Sequence, residues 1–192
     1  MLTLSTRNQL AIGIALALLI IITRGHHFAS LHNLPGASWA VFFLAGVYLR
    51  PILVLPAFLA LTWTLDFIAF QWGGVSDFCL SPAYILLLPA YGALWLAGRW
   101  YAKRHCFEWR TLMPLTLAAF MGAVVCELFS SGGFYLFSGR FPDPSWAEFA
   151  ARQLKYFPSY LQSLSFYVAI AALVHVVFSV AQKVAMQHKI AS

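Results

Sequence analysis

The chain has 192 residues, of which 61% are hydrophobic and only 9% are charged. A soluble domain carries about 25% charged residues, so this composition excludes an ordinary water-exposed surface and favours an integral membrane protein in a lipid bilayer. The formal net charge is +6. Because the basic residues lie in the connections between apolar runs, where membrane topology requires them, we do not expect nucleic-acid binding.

Six apolar runs predict an all-α integral membrane protein, a six-transmembrane-helix bundle that forms a single domain over residues 1–192. The first run follows Arg7 as in a secretion signal, but no small-residue cleavage site ends it, so we expect it to be retained. A crossing helix needs about 20 residues, which makes the second run short and the fifth long. The predicted spans are Asn8–Thr23, Ser38–Leu49, Ile52–Phe70, Pro82–Tyr101, Thr111–Phe137 and Tyr160–Gln182.

The distribution of Lys and Arg predicts the orientation of this bundle. With six spans, both termini share a side, and the side with more basic residues is expected to be cytoplasmic. The side of the termini carries Arg7, Arg50, Arg99, Lys103, Arg104, Arg110, Lys183 and Lys189, whereas the opposite side carries Arg24, Arg140, Arg152 and Lys155. We therefore expect cytoplasmic N- and C-termini.

Three connections then face outward and contain most of the unusual polar residues. The first contains His26, His27 and His32, and the second contains Asp77 and Cys79. The third, 138–159, contains a short amphipathic helix predicted over 145–156. This asymmetry predicts a ligand site near the outer surface.

Cys79 is the residue with the most specific chemistry. A thiolate is a soft ligand for transition metals and a nucleophile, and this one lies in a short outward connection. Cys106 and Cys126 fall at other depths, in an inward connection and inside the fifth span, so neither is expected to form a disulfide with it. The alternative is a small hydrophobic side chain buried under a loop.

Asp66 and Tyr84 lie on either side of that connection. Asp66 is about one turn before the outer end of the third span, where a carboxylate usually faces a partner or a cavity. Arg152 and the polar groups of a ligand are its candidate partners, and a structural ion pair is the alternative. Tyr84 opens the fourth span, where it either anchors the helix at the membrane interface or contacts a ligand. Glu127, deep in the fifth span, is assigned a structural role.

Two further patterns are less specific. His26 and His27 are adjacent, so on a helix their side chains point about 100° apart and rarely bind one metal ion together. Ala11 and Ala15 place small residues four apart on the first span, a spacing that lets another helix approach closely.

Taken together, these features resemble the BtuM family, the cobalamin-binding S-components of energy-coupling-factor (ECF) transporters. The resemblance covers essentially the whole chain and includes its size, its six spans and the spacing of the alanines in the first span. It is carried most by Cys79 within the stretch Ser76–Pro82, with Asp66, Tyr84 and Arg152 around it. An ECF S-component-like fold is therefore expected.

The resemblance implies binding of cobalamin (vitamin B12) in an outer cavity and its uptake across the bacterial cytoplasmic (inner) membrane. Cys79 would be the axial ligand of the cobalt. Asp66, Tyr84 and Arg152 would serve the side-chain amides of the corrin or support the site. A thiolate bound to cobalt could also labilise the cyanide of cyanocobalamin, so Cys79 would be a catalytic residue in decyanation.

The same resemblance implies a partner for transport. Ala11 and Ala15 would form the face that docks on the ECF coupling subunit, whose ATPases drive the movement of the S-component. The chain itself contains no GxxxxGK[ST] motif, so it has no P-loop of its own.

Three other functions fit the sequence. The chain could be an S-component for another vitamin or for a metal. It could be an integral membrane thiol enzyme that uses Cys79 with His26 or His27 as base, although no CxxC or HExxH motif supports this. It could also be a subunit of a membrane assembly without a ligand.

Overall fold

A computed structural model describes residues 4–24, 34–72 and 81–191, and beyond Ala181 it describes only the side chains of Val184 and Gln187. All regular structure in these ranges is helical, as predicted. Short 3₁₀ turns at Pro82–Leu86 and Trp109–Thr111 precede α4 and α5, and a π-helical segment, Leu128–Gly132, joins α5 to α6. The helices are α1 (Thr6–Arg24), α2 (Ser38–Tyr48), α3 (Val54–Trp72), α4 (Leu87–Arg104), α5 (Leu112–Glu127), α6 (Gly133–Phe137) and α7 (Trp146–Ala191).

Several of these helices are suited to a membrane. Large apolar side chains on their outer faces, such as Leu18, Phe67 and Val177, are exposed, as expected of surfaces that contact lipid. Within the described ranges, four segments are long and apolar enough to cross a membrane, namely Thr6–Arg24, Val54–Gln71, Trp109–Phe137 and Trp146–Ala181. The prediction of an α-helical membrane protein is confirmed at this level.

The second and fourth predicted spans do not meet the same requirement. Helix α2 has 11 residues, which corresponds to about 16 Å and is shorter than the hydrocarbon core of a bilayer. Helix α4 has 18 residues but includes Arg99, Lys103 and Arg104 near its end, which shortens its apolar part. The described residues thus give four spanning segments where the sequence predicted six.

The C-terminal part of the chain differs from the prediction in its continuity. A short helix over 145–156 and a separate span, Tyr160–Gln182, were expected, but α7 is one helix of 46 residues that continues through Pro158. A proline removes one N–H donor, and packing can compensate for that loss. Phe157 and Leu161, on either side of Pro158, both pack against the core, which holds the helix together there. The prediction of two separate helices was wrong.

Helix α2 forms the centre of the bundle. Nine of its eleven residues are buried, and Phe42 and Phe43 are fully inaccessible. It crosses α4 in direct backbone contact, because a Cβ atom at Gly46 would lie 2.1 Å from the Trp95 carbonyl oxygen. A Cβ at Gly98 would lie 2.1 Å from the carbonyl oxygen of Phe43. Glycine on both helices is what permits this close crossing.

The two ends of the bundle have different chemistry. At one, which we call the Arg99 end, Gln9 Oε1 accepts a hydrogen bond of 3.0 Å from the Arg50 backbone N–H. The Arg99 guanidinium donates to the Arg50 carbonyl at 2.9 Å. The other, the Asp66 end, contains Arg24 and Asp66. The sequence placed Arg50 and Arg99 on one side of the membrane and Arg24 on the other, and the structure separates them in the same way.

Candidate functional site

A polar cluster lies at the Asp66 end, where both α1 and α3 end. Arg24, the last residue of α1, donates two parallel hydrogen bonds to the Asp66 carboxylate, from Nε to Oδ1 and from Nη2 to Oδ2, each 2.6 Å long. This bidentate geometry is the strongest arrangement for an arginine and a carboxylate. The pair joins two helices whose contacting residues are 42 positions apart in sequence.

Three more side chains complete this group, which we call the Arg24–Asp66 cluster. The Tyr84 hydroxyl donates to Oδ2 of Asp66, from the 3₁₀ turn that Pro82 opens. The other terminal nitrogen of Arg24, Nη1, donates to Ser38 Oγ at 2.8 Å and to the Tyr91 hydroxyl at 3.1 Å. The cluster therefore ties α1, α2, α3 and α4 together at one end of the bundle.

The cluster is sheltered but not closed. The Arg24 side chain is 15% exposed and that of Asp66 is 31% exposed. Removing charges from water costs several kcal/mol per ion unless hydrogen bonds compensate, and here each charge has several. Asp66 thus has hydrogen-bond acceptors in place and retains some surface that another molecule could reach.

For Asp66 the structure shows the alternative, a structural ion pair between two helices, and the partner is Arg24 rather than Arg152. Arg152 lies on α7 with its guanidinium 4.6 Å from the ring centre of Phe141 and 5.8 Å from that of Tyr156. These distances are typical of cation–π contacts. Arg24 was missed because it ends an apolar run, where it was considered only as one of the basic residues that predict the orientation in the membrane.

Cys79 lies outside the described residues, as do His26, His27, His32 and Asp77. The connection that contains Cys79 runs from Trp72, the last residue of α3, to Ser81 before Tyr84. The other two cysteines are free thiols with the predicted placement. Cys106 is exposed in the connection after α4, and Cys126 is buried in α5.

The small residues of the first span lie on an exposed face of α1. Ala11 and Ala15 are both exposed, whereas Leu16, Ile20 and Thr23 turn toward the bundle. The spacing therefore does not mediate packing within the described part of this chain.

A cavity of about 380 Å³ lies at the opposite, Arg99 end, between α2, α4, α5 and α7. The rings of His105 and His175 meet edge to face there, 5.2 Å apart, and the Tyr101 hydroxyl is 2.9 Å from Nδ1 of His105. Burial, followed by the nearby His175, lowers the pKa of His105. The cavity has the volume of a site for a small molecule and is too small for a corrinoid, so it is not the outer cavity that the sequence predicted. The sequence analysis missed this cavity; His175, a polar residue inside an apolar run, is the feature that could have indicated it.

Comparison of the chain with protein-family models gave no match, and comparison with curated proteins found no significant sequence similarity. The assignment of a function therefore rests on the residues and on their geometry.

Proposed function

We propose that this chain binds cobalamin at the Asp66 end and takes part in its uptake across the bacterial cytoplasmic membrane, as an S-component of the ECF type. In this proposal the Cys79 thiolate is the axial ligand of the cobalt. A thiolate is a strong soft donor, and contact with the metal favours the deprotonated form of a thiol. Cobalamin is the cargo and enters from the outer side.

The observation that supports the proposal is the contact between Tyr84 and Asp66. These two residues were selected from the sequence as site residues. They flank the connection that contains Cys79, one before it and one after it, and their side chains are hydrogen-bonded to each other. A corrin ring has amide side chains around its edge, which donate and accept hydrogen bonds. Asp66, partly exposed and already oriented by Arg24, is suited to receive such a donor.

Arg152 has a separate role in this proposal. Its guanidinium is held against the aromatic rings of Tyr135, Phe141 and Tyr156 and makes no contact with Asp66 among the described residues. An arginine stacked in this way keeps its N–H donors available at the ring edge. We assign it to the amides on another part of the corrin periphery.

For the topology, we propose that all six helical segments belong to the bundle, with both termini in the cytoplasm and the Asp66 end outward. The excess of Lys and Arg on the side of the termini supports this orientation. Helix α2 then lies enclosed within the membrane, which its burial permits although its length is only 11 residues.

The exposed alanines of α1 provide the docking face in the same proposal. Ala11 and Ala15 leave a shallow surface that another transmembrane helix could approach closely. The partner would be the ECF coupling subunit with its ATPases.

The proposal is tested by purifying the protein with cobalamin. The wild type is expected to retain a pink to red corrinoid through size-exclusion chromatography, and Cys79→Ala is expected to retain at least tenfold less. Cys106→Ala is the matched control, because it removes an exposed thiol at the other end of the bundle. Equal retention of the corrinoid by the two variants would contradict the role of Cys79.

Decyanation is a second expected property of the same site. The sulfur donates to cobalt on one face and weakens the bond to cyanide on the opposite face, and cyanide leaves with the bonding electron pair. Cobalt keeps its oxidation state in this exchange. We expect the absorption spectrum of cyanocobalamin to show loss of cyanide with the wild type and with Cys106→Ala. Cyanide loss at the same rate with Cys79→Ala would contradict this property.

A further inference from the structure

A buried carboxyl group that the proposed site does not use lies in the membrane-spanning part of the chain. Glu127 is the last residue of α5 and is only 3% exposed. It belongs to the spanning segment Trp109–Phe137, and the ten residues that follow it in this segment correspond to about 15 Å of helix. Leu128 and Phe129, beside it, are exposed toward the lipid. Glu127 is therefore far from both ends of its span and points into the protein.

In the described part of the chain, no basic side chain forms an ion pair with Glu127. Neither carboxyl oxygen of Glu127 has a hydrogen-bond partner there, although the Ser131 hydroxyl, one turn further along, interacts with the group. An ionised carboxylate in such surroundings costs several kcal/mol, so the neutral acid is the favoured form. We therefore expect Glu127 to rest as the neutral acid.

Several charged and titratable groups on the helices that surround α5 and the π-helical segment have partners of their own. On α4, Arg99 donates to the Arg50 carbonyl and lies 4.7 Å from the ring of Trp95. On α7, Arg152 and Lys155 lie over aromatic rings. Tyr91 of α4 contacts Arg24, and Tyr135 of α6 contacts Glu148 and Ser145. The titratable neighbour is Cys126, whose thiol interacts with the carboxyl group.

The backbone next to Glu127 is also unusual. The π-helical segment Leu128–Gly132 begins immediately after it and includes Ser130 and Ser131, both half-buried. Short π-helical segments within α-helices occur frequently at functional sites. The Ser131 hydroxyl interacts with the Glu127 carboxyl group, and the Ser130 hydroxyl interacts with the neighbouring Cys126 thiol.

We propose that Glu127 is a proton-binding site within the membrane, which exchanges its proton through the half-buried hydroxyl of Ser131. On release, the O–H bond of the carboxylic acid breaks, the proton passes to water and the carboxylate remains; the reverse reaction reloads the site. The ligand is a proton rather than a metal ion, because one carboxyl group and a hydroxyl are too few oxygen ligands for a metal. The described residues contain no cluster of acidic, histidine or cysteine side chains around it. This inference does not depend on the binding of cobalamin.

Infrared spectroscopy of the purified protein in detergent tests the inference. At neutral pH the wild type is expected to show the C=O absorption of a protonated carboxylic acid, and transfer into D₂O is expected to shift it. The absorption should be lost in Glu127→Gln. Glu108→Gln is the matched control, because Glu108 is exposed in the connection before α5 and its removal should leave the absorption unchanged.

Should Glu127→Gln fail to fold, ¹³C-labelled glutamate in the wild type provides the same assignment. The other two glutamates, Glu108 and Glu148, are exposed to solvent, whereas Glu127 is buried. The isotope should therefore shift one carboxylic acid absorption. The inference would be overturned if this absorption were absent or failed to shift in D₂O. It would also be overturned if NaCl at constant pH removed the absorption, because the ligand would then be Na⁺ rather than a proton.

Discussion

Replacing Asp66 with alanine is expected to destabilise the protein by about 1.5–3 kcal/mol, because it leaves the partly buried Arg24 guanidinium without its counter-charge. Arg24 is 15% exposed and would retain only the Ser38 and Tyr91 oxygens as acceptors. Arg24→Ala is expected to have an effect of similar size. The free energy of unfolding in mixed micelles measures both changes.

The double variant decides whether the two residues act as a pair. When both partners are removed, no buried charge remains, so the loss of stability should be smaller than the sum of the two single losses by about 1–3 kcal/mol. Asp143→Ala, which removes an exposed acidic residue outside the cluster, should change stability by less than about 0.5 kcal/mol. Additive losses would show that Arg24 and Asp66 do not form the pair described above.

Replacing Gly46 with alanine is expected to disrupt the crossing of α2 and α4. The added Cβ would lie 2.1 Å from the Trp95 carbonyl oxygen and 3.1 Å from the backbone nitrogen of Arg99. Both are backbone atoms, so neither can move as a flexible side chain would. Overpacking typically costs about 1–3 kcal/mol and occasionally more, and we expect a loss at or above the upper value. The thermal midpoint and the yield of folded protein measure it.

Gly92 provides the matched control for that substitution. It lies on the same helix, α4, and a Cβ built on it would meet no atom within 4 Å. Gly92→Ala should therefore keep or raise the thermal midpoint, because alanine favours the helix over glycine by about 1 kcal/mol. A Gly46→Ala variant as stable as the wild type would contradict the close crossing of these helices.

The sequence was sufficient to predict the helical class and much of the element order. Hydrophobic runs predicted the start of α2 at Ser38 and the start of the fourth helical segment at Pro82, because these signals are local in the chain, although the first turn of that segment is 3₁₀ rather than α-helical. The continuity of α7 through Pro158 was not predictable in this way, since it depends on the packing of Phe157 and Leu161. The enclosed position of α2 also depends on its neighbours, because a short apolar run has the same composition whether lipid or protein surrounds it.

The candidate site, too, was predictable only in part from the sequence. Asp66 and Tyr84 were selected because each has an unusual position in its own span, and the structure brings their side chains together. Arg24 was not selected, because an ion pair between residues 42 positions apart leaves no periodic signal in the sequence. The position of Cys79 relative to these residues stays a prediction.

The most direct test of the cobalamin proposal is the X-ray absorption spectrum of cobalt in the purified complex. The wild type and the Cys106→Ala variant are expected to show a sulfur atom in the first coordination shell of the metal, and Cys79→Ala should show only nitrogen, oxygen or carbon ligands. A cobalt shell without sulfur in the wild type would contradict the assignment of Cys79 as the axial ligand.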